Sequence, residues 1–192
     1  MGKGRLEAFT DGVIAIIITI MVLEIKVPHS TDFAALWSTV PILLAYVLSF
    51  INVGIFWVNH HHMLHATRQI DGRALWANLA LLFSLSLVPF VIRWIDEGGF
   101  VAPPTAAYGG VLAMAAVSYT LLQAALISRN GHDSELAKAV GHDIKGKLSL
   151  AAYVVAIPLA FVSVWISIAL YVMVAMIWFV PDSRIESNHH SE

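Results

Sequence analysis

The sequence predicts an all-α integral membrane protein with six transmembrane helices, and three observations carry that expectation. Hydrophobic residues make up 58% of the 192-residue chain and charged residues 12%, where a soluble domain carries about a quarter charged residues. The apolar residues fall in long runs separated by short polar turns, as helices that cross a hydrocarbon core require. Laid out as six spans with the N-terminus inside, the basic residues divide nine to two. Lys3, Arg5, Arg68, Arg73, Arg129, Lys138, Lys145, Lys147 and Arg184 fall on the inner side, and Lys26 and Arg93 on the outer. Loops rich in Lys and Arg face the cytoplasm. Both termini are therefore expected in the cytoplasm, with the chain in a cell (inner) membrane.

The first span is expected over residues 8–27, between the charged start at Arg5 and Glu7 and the stop at Pro28. Glu24-Ile25-Lys26 follows its apolar run where the small residues of a cleavage site would stand, so the segment is expected to stay as a span. The second span covers 34–62, after a turn whose Ser30, Thr31 and Asp32 are helix-capping residues. It closes on a wet end, Asn59-His60-His61-His62. The third, 74–95, carries Asn78 near its start and Pro89 in its second half; the fourth, 105–128, follows the Gly98-Gly99 and Pro103-Pro104 breaks. Residues 129–147 form the longest polar connection. The 33-residue apolar block 148–180 is too long for one straight span and short for two. Two compact helices, 148–163 and 166–180 with a turn near Ser163–Ser167, agree with the charge count, since one helix would put Arg184 outside. Residues 1–180 thus read as one transmembrane domain and 181–192 as a polar cytoplasmic tail.

Several functions have no support in these residues. Cysteine is absent, which removes disulfides and thiolate metal sites. There is no basic tract for nucleic acid, and no phosphate-binding loop, nucleophile elbow or H-E-x-x-H, so an enzyme is not expected. Tyr108-Gly109-Gly110 sits inside an apolar helical run, so it is not a carbonyl filter of the Thr-Val-Gly-Tyr-Gly type.

The first helix carries the distinctive pattern. A helix turns about 100° per residue, which puts Ile16, Ile20 and Leu23 on one stripe, continued back through Gly12 and Phe9 and flanked by Thr19. Asp11 lies about 140° away from Ile16. Such a ladder is ordinarily lipid-facing or core packing. An ionisable group in a span costs several kcal/mol and normally has a partner or a task. In the six-span layout, Asn59, His60, His61 and Asn78 share the depth of Asp11, so they are its expected partners.

Arg5, Phe9, Thr10 and Asp11 form R-x-x-x-F-[ST]-D ahead of an Ile-rich helix, a pattern that resembles the signature of the transmembrane protein 175 family of potassium channels. Thr10 stands where Ser is commoner and keeps the hydroxyl. The number and spacing of the later spans extend the resemblance over most of the chain. The resemblance implies a potassium-selective channel with no cofactor, whose permeant ligand is the potassium ion. It implies a pore lined by the first helix, with Ile16, Ile20 and Leu23 as hydrophobic rings and Thr19 as a polar ring. It also implies that Arg5, Phe9, Thr10 and Asp11 act in an interhelical network with Asn59, His60, His61 and Asn78, behind the ion path. Family members with two repeats form pores as dimers; the motif occurs once here, which implies a homotetramer in the lipid bilayer.

Two other readings fit the same residues. His61 and His65, at i and i+4, are spaced to ligate a metal or haem in a membrane redox protein. Asp11 near a helix end fits a proton-coupled secondary transporter.

Overall fold

A computed structural model of the chain describes residues 2–28, 31–141 and 143–179. Its helices are α1 (Lys3–Leu23), α2 (Phe33–Leu36), α3 (Val40–His65), α4 (Gly72–Ser86), α5 (Val88–Gly98), α6 (Ala102–Asn130), α7 (Glu135–Val140), α8 (Ile144–Leu159) and α9 (Val164–Phe179), and the described residues contain no strand. Four helical segments are long and apolar enough to cross a membrane: Lys3–Leu23, Trp37–His65, Gly72–Gly98 and Ala102–Asn130. The chain is therefore an all-helical, multi-pass membrane protein. α8 and α9 are shorter, at 16 residues each.

The element ends depart from the sequence reading in ways that local chemistry explains. α1 starts at Lys3 and stops at Leu23, so the segment 24–27 expected to continue the first span is not helical. Pro28 disfavours the helical conformation at Val27 before it. α2 is joined to α3 by a tighter 3-10 turn, Trp37–Thr39, and Pro41 sits in the first turn of α3, where its missing N–H costs nothing. The third span is two helices that break at Leu87, because Pro89 has no N–H for the carbonyl of Leu85 and its ring crowds it. The connection 129–147 is not simply a polar loop: it holds α7, capped by Ser134, and the first turn of α8, capped by Asp143. The break between α8 and α9 falls at 160–163, ahead of the expected Ser163–Ser167. Pro158 loosens the last turn of α8, and the Ser167 hydroxyl donates to the Ala156 carbonyl at 2.7 Å, stitching α9 to it. The tail 181–192 lies outside the described residues.

α6 is the hub of the bundle and packs against α4, α5, α8 and α9, while α1 lies on α3, α4 and α5. The middle of the α3–α6–α8–α9 bundle is polar as well as aromatic. Tyr108 meets Ser49 at 2.9 Å and Asn52 at 3.4 Å, Tyr153 donates to Asn52 at 3.4 Å, and Tyr171 donates to the Thr105 carbonyl at 3.0 Å. These bonds satisfy hydroxyls that burial would otherwise strand. Tyr171 also presses on the bare backbone of Gly109, where a Cβ would have no room. Tyr108-Gly109-Gly110 is helical throughout, so its carbonyls serve the α6 ladder.

Both ends of the bundle are tied. At the Leu23 end, Arg93 pairs with Glu24 at 3.3 Å and with Glu97 at 3.2 Å. At the Lys3 end, Asn130 accepts from the backbone N–H groups of Arg68 and Gln69 and donates to the Gln69 carbonyl, each at 2.9–3.0 Å, which fixes the α3–α4 turn against the end of α6. α9 finishes at this same end, with Trp178 beside Ala66 across a shared cavity.

Candidate functional site: the two faces of the first helix

α1 divides its residues sharply between two faces. Leu6, Thr10, Ile14, Ile17 and Met21 are buried, at the three- and four-residue spacing of one helical stripe. On the other side Phe9, Gly12, Ile16, Thr19, Ile20 and Leu23 are exposed; Ile16 is 58% and Leu23 80% accessible in the single chain. Ile18, partly buried, packs against the core. The Thr19 hydroxyl sits 3.0 Å from the carbonyls of both Ala15 and Ile16. Its proton is spent on its own helix, so what it presents outward is oxygen lone pairs.

The buried face carries a hydrogen-bonded triad across three helices. His60 Nε2 lies 2.8 Å from Asn78 Oδ1, and Asn78 Nδ2 donates to Thr10 Oγ1 at 2.9 Å. With the amide so placed, His60 Nε2–H donates to Asn78, and Asn78 donates in turn to Thr10. All three side chains are buried, so each is the other's replacement for water.

A second set of contacts runs down the flank of α1 in antiparallel register with α3. Lys3 Nζ donates to the His65 carbonyl at 3.2 Å, Glu7 Oε1 lies 3.8 Å from His61 Nδ1, and Trp57 Nε1 donates to Asp11 Oδ1 at 2.8 Å. Positions 3, 7 and 11 thus meet 65, 61 and 57, four residues to a rung on each helix. The histidine rings of the ladder stack, His61 on His65 with centroids 6.3 Å apart.

These contacts correct the expected network. Asp11 is exposed and bonds Trp57, not Asn59, the histidines or Asn78. Thr10, not Asp11, is the motif residue that reaches Asn78. Asn59 faces away from α1: its amide donates to the Ile55 carbonyl at 2.8 Å and its own carbonyl accepts from Tyr119 at 3.2 Å. Phe9 belongs to the exposed stripe, and Arg5 is exposed with no bond or ion pair among the described residues. Trp57 was missed. Its signal was its place four and eight residues before His61 and His65, on the stripe that must face Glu7 and Asp11. Among the described residues, no group of three His, Cys, Asp or Glu side chains is placed to hold a metal ion.

The family model described as endosomal/lysosomal potassium channel TMEM175 matches residues 5–89, the part of the chain that holds the triad, the stripe and all of the ladder but Lys3. A protein named potassium channel from Chryseobacterium sp. (strain P1-3) is 48% identical over 188 residues, covering 98% of both chains. The chain belongs to the TMEM175 family. A further relative named potassium channel, from Streptomyces collinus, is 33% identical over 91% of this chain and 90% of its own. The crystal structure of a lysosomal potassium-selective channel TMEM175 homolog from Chamaesiphon minutus superposes with a TM-score of 0.77 at 30% identity, over 93% of this chain and 96% of that one. The human member, named endosomal/lysosomal proton channel TMEM175, is far longer: the match of 96 residues at 38% identity spans 43% of this chain and 19% of that protein.

Proposed function

We propose that this TMEM175-family chain is a potassium-selective channel in the cell membrane. Four copies assemble around an axis, each with six spans and cytoplasmic termini, and the exposed stripe of α1 from each copy lines the pore. The observation that carries the reading is the contrast between the two faces of α1. One face is fixed into the bundle by the triad, the ladder and a row of aliphatic contacts; the other leaves Phe9, Gly12, Ile16, Thr19, Ile20 and Leu23 exposed among the described residues. The nine-to-two division of Lys and Arg supports the orientation. The relatives named potassium channel support the choice of ion.

In this arrangement Ile16 forms the narrowest ring, with Ile20 and Leu23 as further rings outward. Four Ile side chains offer an ion no ligands, so a closed ring excludes it by dehydration cost and needs little energy to close. Potassium sheds its water more cheaply than sodium, which favours it at such a constriction, and the outward lone pairs of Thr19 give it a partial replacement shell. The experiment is potassium flux into liposomes carrying the purified protein, followed by bi-ionic reversal potentials. Ile16→Asn is expected to raise conductance several-fold and to weaken discrimination against sodium. Ile18→Asn, on the packed side, is expected to lower the yield of folded protein and leave the selectivity of what remains unchanged. Unchanged current and reversal potential in Ile16→Asn would make the stripe ordinary packing.

A further inference from the structure

Away from α1, the Lys3 end of the bundle holds a half-open cavity of about 240 Å³ between α3, α6, α7, α8 and α9. No residue of α1 lines it. A narrower extension of about 40 Å³ shares Asn59, Tyr119, Asp143 and Trp178 with it and reaches inward to Asn52 and Tyr153.

The cavity has a lid, a platform and an unanswered polar group. The lid is α7, six residues whose Leu136 is buried below it; Gly131 and Gly141, with φ of 94° and 53°, bracket it in a backbone region that other residues rarely enter. The platform is the Trp178 indole, held by a bond of 2.9 Å from its Nε1 to Ser149, with the Lys145 ammonium 5.9 Å over the ring. The unanswered group is Gln123. The residue is 8% exposed, makes no hydrogen bond to any described residue, and lines the cavity. Its amide atoms are not sealed off but open onto the cavity, so their bonds come from whatever fills it. Around it the wall is rich in acceptors. The Asn59 side-chain oxygen has no partner among the described residues, and Asp143 uses one carboxylate oxygen to cap Gly146 N–H at 3.1 Å.

We propose that this cavity is a binding site for a small planar ring bearing a primary amide or an equivalent N–H/C=O edge. The ring stacks on Trp178 beneath α7, and the edge pairs with the Gln123 amide. Gln123 offers one acceptor and one donor side by side, which matches such an edge with two parallel bonds. The surplus of acceptors takes the remaining N–H, and Leu136, Ala139 and Val140 cover the apolar rim. Water alone would satisfy the amide but leave the indole and the aliphatic rim wet, which favours an occupant with an apolar body.

The probe is 4-fluorobenzamide, titrated against the full-length protein in detergent micelles and read by fluorine NMR, with 4-fluorotoluene as the ring without the edge. The expected result is saturable binding of the amide alone, weakened at least tenfold by Gln123→Leu and abolished by Ala139→Trp, which fills the space from the lid. Gln123→Met, of similar length and without the amide, repeats the first arm should the Leu variant not elute as the wild type does. Absence of saturable binding to the wild type, equal binding of 4-fluorotoluene, affinity unchanged by loss of the Gln123 amide, or binding that survives Ala139→Trp each overturns the proposal.

Discussion

Asn78 is the residue on which the inner half of α1 depends, because it is bonded on both sides. Its Oδ1 faces His60 and its Nδ2 faces Thr10, so one substitution strands two buried groups. Each stranded group costs about 1–3 kcal/mol. Asn78→Leu is therefore expected to lower the thermal unfolding midpoint in detergent clearly, and more than Thr10→Val, which leaves the His60–Asn78 bond intact. Replacing all three residues by apolar ones should recover part of the loss, since no polar group is then left unpaired. A triple variant less stable than Asn78→Leu would show that the triad contributes more than satisfied burial. At this scale the sequence revealed depth but not direction. The distances to helix ends put Asp11, His60 and Asn78 at one level of the bundle; His60 and Asn78 do meet there, but with Thr10, the neighbour of Asp11, as the third member. Asn59 and His60 are neighbours in the chain, yet a helix turns them about 100° apart. One faces α1 and the other the cavity, and which is which depends on where α6 packs. Trp57 was hidden by its type, since an indole near a helix end reads as an interface anchor.

Among the elements, α6 shows what a small residue secures. Tyr171 of α9 reaches across to the Thr105 carbonyl only because Gly109 has no side chain. A Cβ there would lie 3.1 Å from Tyr171 Cζ and 3.3 Å from Ile157 Cγ1, and closer still to the hydroxyl. Gly109→Ala should therefore push the ring off its acceptor and cost about 1–3 kcal/mol. Gly110→Ala, with nothing within 4 Å of the new Cβ, serves as the neutral control. Thermal unfolding of the two variants in detergent reads the difference, and Tyr171→Phe in the Gly109→Ala background should restore part of it. The apolar runs and their proline punctuation were legible: the break at Leu87 follows from Pro89. α7 was not, because six residues with Lys138 and Glu135 have no apolar run, and the helix is anchored by buried Leu136 with Val140 partly buried beside it. The two-faced pattern of α1 was legible because both faces obey the same period. That only one of them would pack within the chain was a matter of tertiary structure.

For the whole molecule, the orientation proposed from the basic residues makes a direct prediction. α1 begins and α9 finishes at the same end of the bundle, so a tag placed after Glu192 should be shielded from protease added outside intact cells and cut once the membrane is opened. A tag cut from outside would reverse the proposed topology. The all-helical, multi-pass architecture was legible from composition together with the spacing of the apolar runs. The number of helices that cross is set by how short helices sit beside long ones, which composition does not report.

That disparity in length has a consequence for the membrane itself. α8 and α9, at 16 residues each, rise about 24 Å, while α6, at 29 residues, rises about 44 Å, against a hydrocarbon core about 30 Å thick. Lipid that wets the α8–α9 side must compress its chains or expose the helix ends, whereas elsewhere on the perimeter it need not. In a fourfold assembly the bilayer around the protein would be scalloped, thin and thick in alternation. Elastic energy stored in that collar, rather than any protein contact, would then make the host membrane's thickness one of the variables that choose between conformations of the assembly.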